Sequence, residues 1–163
     1  MKGYIWRYTT GILLVLWMAV IFCFSSQPAE ESSEVSGSVA YRLVSLADRL
    51  WEGDFTEQQR LIYAEFIDYP VRKAAHMAEF AVLAVLACAF MSSLGRPGRW
   101  RYLWAAVFTA LYAATDEVHQ LFVPGRAGRV TDVCIDTLGA VIGLILLFLC
   151  RLVYRRWKTG KAG

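Results

Sequence analysis

Three segments of this chain, residues 1–7, 95–101 and 151–163, contain no carboxylate, although 14 of its 163 residues are Asp or Glu. The same segments hold ten of the 17 basic residues: Lys2, Arg7, Arg96, Arg99, Arg101, Arg151, Arg155, Arg156, Lys158 and Lys161. Cysteine is scarce, at four residues with no C-x-x-C pair, so neither a disulfide framework nor a zinc ribbon is encoded. Cys23, Cys88, Cys134 and Cys150 all fall in apolar stretches, where packing accounts for them. There is no Gly-rich phosphate loop, which removes the usual nucleotide site, and no G-x-S-x-G, which removes the nucleophile elbow. Ser25 and Ser26 are then the hydroxyls left to consider as nucleophiles. The net charge of +3 is no sign of nucleic-acid binding, because the basic residues are segregated and suit anionic lipid heads.

Apolar residues make up 57% of the chain, high for a soluble domain. They gather in four stretches, each near the ~20 residues that cross ~30 Å of hydrocarbon. The expected fold class is all-α: an integral membrane four-helix bundle formed as a single domain over residues 1–163. Its helices are expected at about 8–26, 70–94, 102–122 and 132–154, with an external loop at 27–69. Short basic loops stay in the cytoplasm, which predicts an N-in, C-in, multi-pass protein of the cell membrane. The first stretch is longer than a signal-peptide core, has no A-x-A site after it, and reads as a retained helix.

Within the loop, residues 30–38 are Ser/Glu-rich and read as mobile. Val39, Leu43, Leu46, Leu50 and Trp51 then share one helical face, with Arg42, Asp48, Arg49 and Glu52 opposite. This predicts a short amphipathic helix on the membrane surface or over the bundle mouth. Thr56 and Gln59 form a capping box for a second short helix to about residue 67. Asp68-Tyr69-Pro70 resembles a fresh start for the second membrane helix. Thr131 is expected to open the last helix, with Asp132 in its first turn. Gly139 and Gly143, four apart, predict close approach of another helix.

The polar residues inside the apolar stretches carry the most information. Arg72, Lys73, His76 and Glu79 form a stripe on the second helix; Asp116, Glu117, His119 and Gln120 end the third; Asp132 and Asp136 begin the fourth. Gln27 and the Pro124-Gly125-Arg126 turn flank them. The topology puts all of them in the outer half of the membrane. A charge at mid-membrane costs roughly 2.5–3.5 kcal/mol on insertion scales, so these groups face one another or a water-filled mouth. Three readings stay open. One is a self-neutralising network that fixes helix register. Another is a divalent metal held by His76, Glu79, Asp116 and His119. The third is recognition of an external anionic group, with Arg126 presenting its guanidinium fork from a Gly-flanked turn.

These motifs resemble the VanZ-like family of small bacterial membrane proteins. The likeness rests on Phe24-Ser25-Ser26-Gln27, on Lys73-x-x-His76-x-x-Glu79-Phe80, on Asp116-Glu117-x-x-Gln120-x-Phe122 with Pro124-Gly125-Arg126, and on Asp132-x-x-x-Asp136-x-x-Gly139. The family takes its name from a member associated with glycopeptide (teicoplanin) resistance. The resemblance implies a cell-envelope protein whose outward-facing site meets a glycopeptide, a lipid-linked wall precursor or another envelope lipid. Combined with the polar constellation, the expected ligand is anionic, lipid-linked or a peptide carboxylate, and no resident cofactor is expected. A membrane-embedded hydrolase or transferase on envelope lipid or polyprenyl phosphate is the alternative. A proton-coupled transporter is the third, disfavoured because the inner halves of the helices carry no polar steps.

Overall fold

A computed structural model describes residues 2–96 and 98–160, leaving Pro97 and Lys161 of the basic segments outside the described residues. Among the described residues the fold is all-helical, with five helices: α1 (Lys2–Ser25), α2 (Ala29–Leu50), α3 (Glu57–Ser93), α4 (Trp100–Gln120) and α5 (Val130–Gly160). Three of them, α1, α3 and α5, are long and apolar enough to cross a membrane. The fourth, α4, has the length, at 21 residues, but Arg101, Asp116, Glu117 and its Trp and Tyr residues dilute its apolar character.

Helix α3 is the axis of the molecule and packs against each of the other four. Its closest neighbour is α5, and glycine is the reason. A Cβ at Gly139 would collide with the Met77 carbonyl, and one at Gly143 would lie 2.7 Å from the Ala81 carbonyl. The expected small-residue contact is therefore the α3–α5 seam. Phe80, Leu83, Ala84, Ala87 and Cys88 of α3 are sealed in the core with Ile21, Ala105, Ala113 and Ala140. Two polar ties hold α1 in place: Trp17 Nε1 donates to the Glu79 carbonyl at 2.9 Å, and the Tyr112 hydroxyl to the Met18 carbonyl at 2.7 Å.

Residues 27–69 depart from expectation. The Ser/Glu-rich stretch is not a loop; it is the first half of a continuous 22-residue α2. Ser36, Ala40, Val44 and Asp48 form its buried stripe, and Ala40 and Val44 meet Ala64, Ile67 and Val71 of α3. The capping box at Thr56 is present as read, with Gln59 N–H donating to Thr56 Oγ1 at 3.3 Å. The helix it opens does not stop near residue 67. It runs through Pro70 as one 37-residue rod. Asp68 is not a cap but lies 2.8 Å from Arg72 one turn on. Packing along α2 supports the segment before Pro70 strongly enough to outweigh the single backbone bond that proline forfeits.

The apolar side of α2 is turned outward, away from the bundle. Val39, Leu43, Leu46 and Leu50 stay exposed, while Asp48 is 4% exposed and takes two bonds from Arg60, at 3.0 and 2.8 Å. Exposed Leu61, Ile62, Phe66 and Tyr69 accompany them on α3. At the opposite end, exposed Tyr4, Trp6, Tyr8, Trp100, Trp104, Tyr154 and Trp157 give the bundle an aromatic girdle beside its basic residues. Helix α5 begins at Val130, one residue before Thr131, which therefore lies in the first turn with Asp132.

Candidate functional site

A cavity of about 200 Å³ opens where the beginning of α5, the end of α4 and the middle of α3 meet beneath the 121–129 turn. Seven of the residues singled out from sequence line it: Lys73, His76, Glu117, Gln120, Arg126, Asp132 and Asp136. Lys73 and His76 come one turn apart from α3. Asp132 and Asp136 come one turn apart from α5, and the Gly139 contact just below draws those two helices together. Tyr69, Arg72, Arg129 and Ala29 complete the walls.

The turn itself is shaped for this position. Gly125 has φ +73°, a conformation that side chains other than glycine's rarely adopt. Ala29 N–H donates to the Pro124 carbonyl at 3.2 Å, which stitches the start of α2 over the cavity.

Not every acid here has a cationic partner. Lys73 Nζ lies 2.7 Å from Asp132 Oδ2. Asp116 is buried behind the wall and accepts from Gln120 Nε2 at 3.0 Å; Glu117 accepts from the Arg129 backbone N–H at 2.8 Å. Asp136, 3% exposed, lines the cavity and has no hydrogen-bond or ion-pair partner among the described residues.

Arg126 borders the cavity without a carboxylate partner. Its Nε donates to the Gln27 carbonyl at 3.0 Å and its Nη2 sits 3.5 Å from the Phe24 carbonyl, at the end of α1. Among the described residues no carboxylate comes within 4 Å of it. Burial, followed by the like charge of Arg72, lowers its pKa, while Asp116, Glu117 and Glu79 act the other way from a distance. A guanidinium this basic stays charged all the same.

The remaining expected residues lie apart. Gln27 and Glu79 line a second hollow of about 210 Å³ between α1, α2 and α3; His76, Arg72 and Arg126 form the wall between the two. His76 Nδ1 is 3.6 Å from Glu79 Oε2, too long for a hydrogen bond. His119 faces neither hollow: its ring stacks on Phe22 of α1 with centroids 4.4 Å apart. The four-residue metal set of His76, Glu79, Asp116 and His119 is thus not assembled. Among the described residues no three His, Cys, Asp or Glu side chains converge on a metal position.

Two further contributors are Arg72, the first member of the polar stripe, and Tyr69. Arg72 bonds Asp68, Ser33 and Ser36 and borders both hollows. Tyr69 lies with its ring 5.4 Å beneath the Lys73 ammonium. Arg72 belongs to the visible polar stripe and an i,i+4 pair with Asp68, so a signal existed; Tyr69 had none.

With this geometry in view, the profile of the VanZ/LLP1 family matches residues 10–151. The chain belongs to the VanZ/LLP1 family. The matched span runs from α1 to the last turns of α5 and takes in every residue of both hollows. As a VanZ/LLP1 member the chain is a membrane protein, in keeping with its three long apolar helices. No curated protein and no solved structure matches it.

Proposed function

We propose that this protein crosses the membrane four times with both termini inside, and that its polar cavity faces outward and binds an anionic group. The ligand class is a lipid-linked envelope phosphate or a peptide carboxylate. A role in glycopeptide resistance would operate through such a ligand. The single observation that carries the reading is Arg126. It borders both hollows, and backbone carbonyls orient it while no carboxylate neutralises it. A self-neutralising network would have placed Asp116, Glu117 or Asp132 against it. Instead the fork keeps donors free for a phosphate or carboxylate, the pairing to which guanidinium geometry is best suited. Lys73 and Arg72, held by Asp132 and Asp68, supply further positive charge at fixed positions.

The test is binding of a polyprenyl phosphate and of a short peptide with a free carboxylate to the purified full chain in lipid nanodiscs. Arg126→Lys keeps the charge and loses the planar fork, so both it and Arg126→Ala are expected to lose binding while melting close to wild type. If Arg126→Ala collapses in stability and Arg126→Lys recovers both stability and binding, this arginine is a structural tie and the proposal fails.

A catalytic role has one observation in its favour. Ser25, 1% exposed, lies beside Asp116, the carboxylate nearest to its hydroxyl. A Ser25→Ala variant that still turns over an envelope lipid substrate would remove this serine as nucleophile.

A further inference from the structure

A second cationic hollow lies at the far end of the bundle, between the start of α4 and the last turns of α5. It encloses about 270 Å³ and is lined by Arg99, Arg101, Tyr102, Phe148, Arg151 and Arg155, among others. No acidic residue borders it, and no carboxylate lies within 4 Å of any of these four arginines among the described residues. We propose that this arginine hollow is a binding site for the phosphate headgroup of an anionic phospholipid.

The arrangement is built rather than a loose rim of charge. Arg101 Nη2 and Arg151 Nη1 converge on a single neutral oxygen, the Tyr102 hydroxyl, at 3.4 and 3.2 Å. Both guanidinium groups lie over the same Tyr102 ring, at 5.0 and 5.9 Å from its centroid. Phe148 meets that ring edge-on at 6.1 Å and fixes it. Two like charges brought to one uncharged acceptor repel each other, and an anion between them turns the repulsion into two charge-assisted contacts. Arg101 Nε is buried with no hydrogen-bond partner, a donor still unused. The first turn of α4 begins here too, and its free backbone N–H groups favour negative charge.

The surroundings point to a lipid rather than to a free anion. Phe148 and Leu152 leave the hollow along the outer face of α5, 48% and 38% exposed, giving acyl chains an apolar track. Basic hollows between membrane helices are a recurrent means of holding phospholipid heads.

The test uses the purified full chain in dodecyl maltoside, with phosphatidylglycerol and phosphatidylcholine as probes, read by native mass spectrometry and thermal melting. Wild type should retain phosphatidylglycerol in preference and melt higher with it. The double variant Arg101→Gln/Arg151→Gln should bind it about tenfold more weakly or worse. The double variant Arg156→Gln/Lys158→Gln removes the same charge outside the hollow and should bind like wild type. Equal losses in the two double variants would reduce the effect to general rim charge and overturn the site. Should the glutamine pair not fold, Arg101→Lys/Arg151→Lys keeps the charge and must still weaken binding; wild-type affinity there overturns the proposal. Millimolar inorganic phosphate should not displace the lipid, and full displacement would assign the hollow to a free anion instead.

Discussion

The Lys73 ammonium and the Asp132 carboxylate meet at 2.7 Å across the α3–α5 seam, each less than a fifth exposed. They are the shortest ion pair among the described residues and sit at the cavity wall. Removing one member leaves the other charged and largely buried. Lys73→Met should therefore cost about 3 kcal/mol in a reversible unfolding assay in detergent. Lys73→Met/Asp132→Leu should recover much of that loss. Lys73→Met as stable as wild type would show that Asp132 does not depend on Lys73 for a partner.

Glycine supplies a second prediction, with its own control. Gly139→Ala places a methyl against the Met77 carbonyl, so α3 and α5 must separate; the expected cost is about 1–3 kcal/mol. Gly37 is also helical, yet has nothing within 4 Å of its added Cβ. Gly37→Ala should stabilise by about 0.5–1 kcal/mol through helix propensity alone. Thermal melting of the two variants side by side checks both signs.

The α2–α3 hairpin should be separable from the bundle. Asp48 takes both bonds from Arg60 and one from the Phe55 N–H at 3.3 Å, closing the 51–56 connection. In Asp48→Ala, limited proteolysis should cut within that connection at rates well above wild type, while the α3–α5 core stays intact. Unchanged protection would mean that the Ala40–Val44–Ala64 contact holds the hairpin by itself.

Orientation is checked by labelling. In a background without the four native cysteines, Asp54→Cys and Ala127→Cys should react with a membrane-impermeant thiol reagent on intact cells. Arg99→Cys should not. Reaction at position 99 alone would turn the polar cavity toward the cytoplasm.

Much of this architecture was legible because membrane cost is severe and local. Lys73 and His76 could not face lipid, and neither could Asp132 and Asp136, so their convergence followed from expense alone. The capping box at Thr56 and the Gly139–Gly143 spacing were equally direct, since each depends on neighbours within one helix or on the absence of a side chain. Pro70 was not. Asp68-Tyr69-Pro70 carries the local marks of a helix start, and only α2 packed against Ala64, Ile67 and Val71 carries the helix through it. The Ser/Glu run before Val39 misled for a related reason: Ser33 and Ser36 find their partner in Arg72, 39 and 36 residues away. His119 shows the limit at the site. It trails Asp116 by three residues on α4, but which neighbour its ring meets depends on where Phe22 of α1 comes to rest.

The length of α3 has a mechanical consequence. At 37 residues it is about 55 Å long, well beyond the ~30 Å of hydrocarbon, and the surplus lies before Pro70, where α2 is strapped alongside. Pro70 cannot bond the Phe66 carbonyl, so the rod's most compliant joint is one turn above Lys73 and less than two above His76. A bend of about 10° at that joint would swing the far tip, some 20 Å away, by about 3.5 Å. The joint adjoins Tyr69 and Lys73 of the cavity wall, so a bend there would shift the strapped hairpin relative to the cavity.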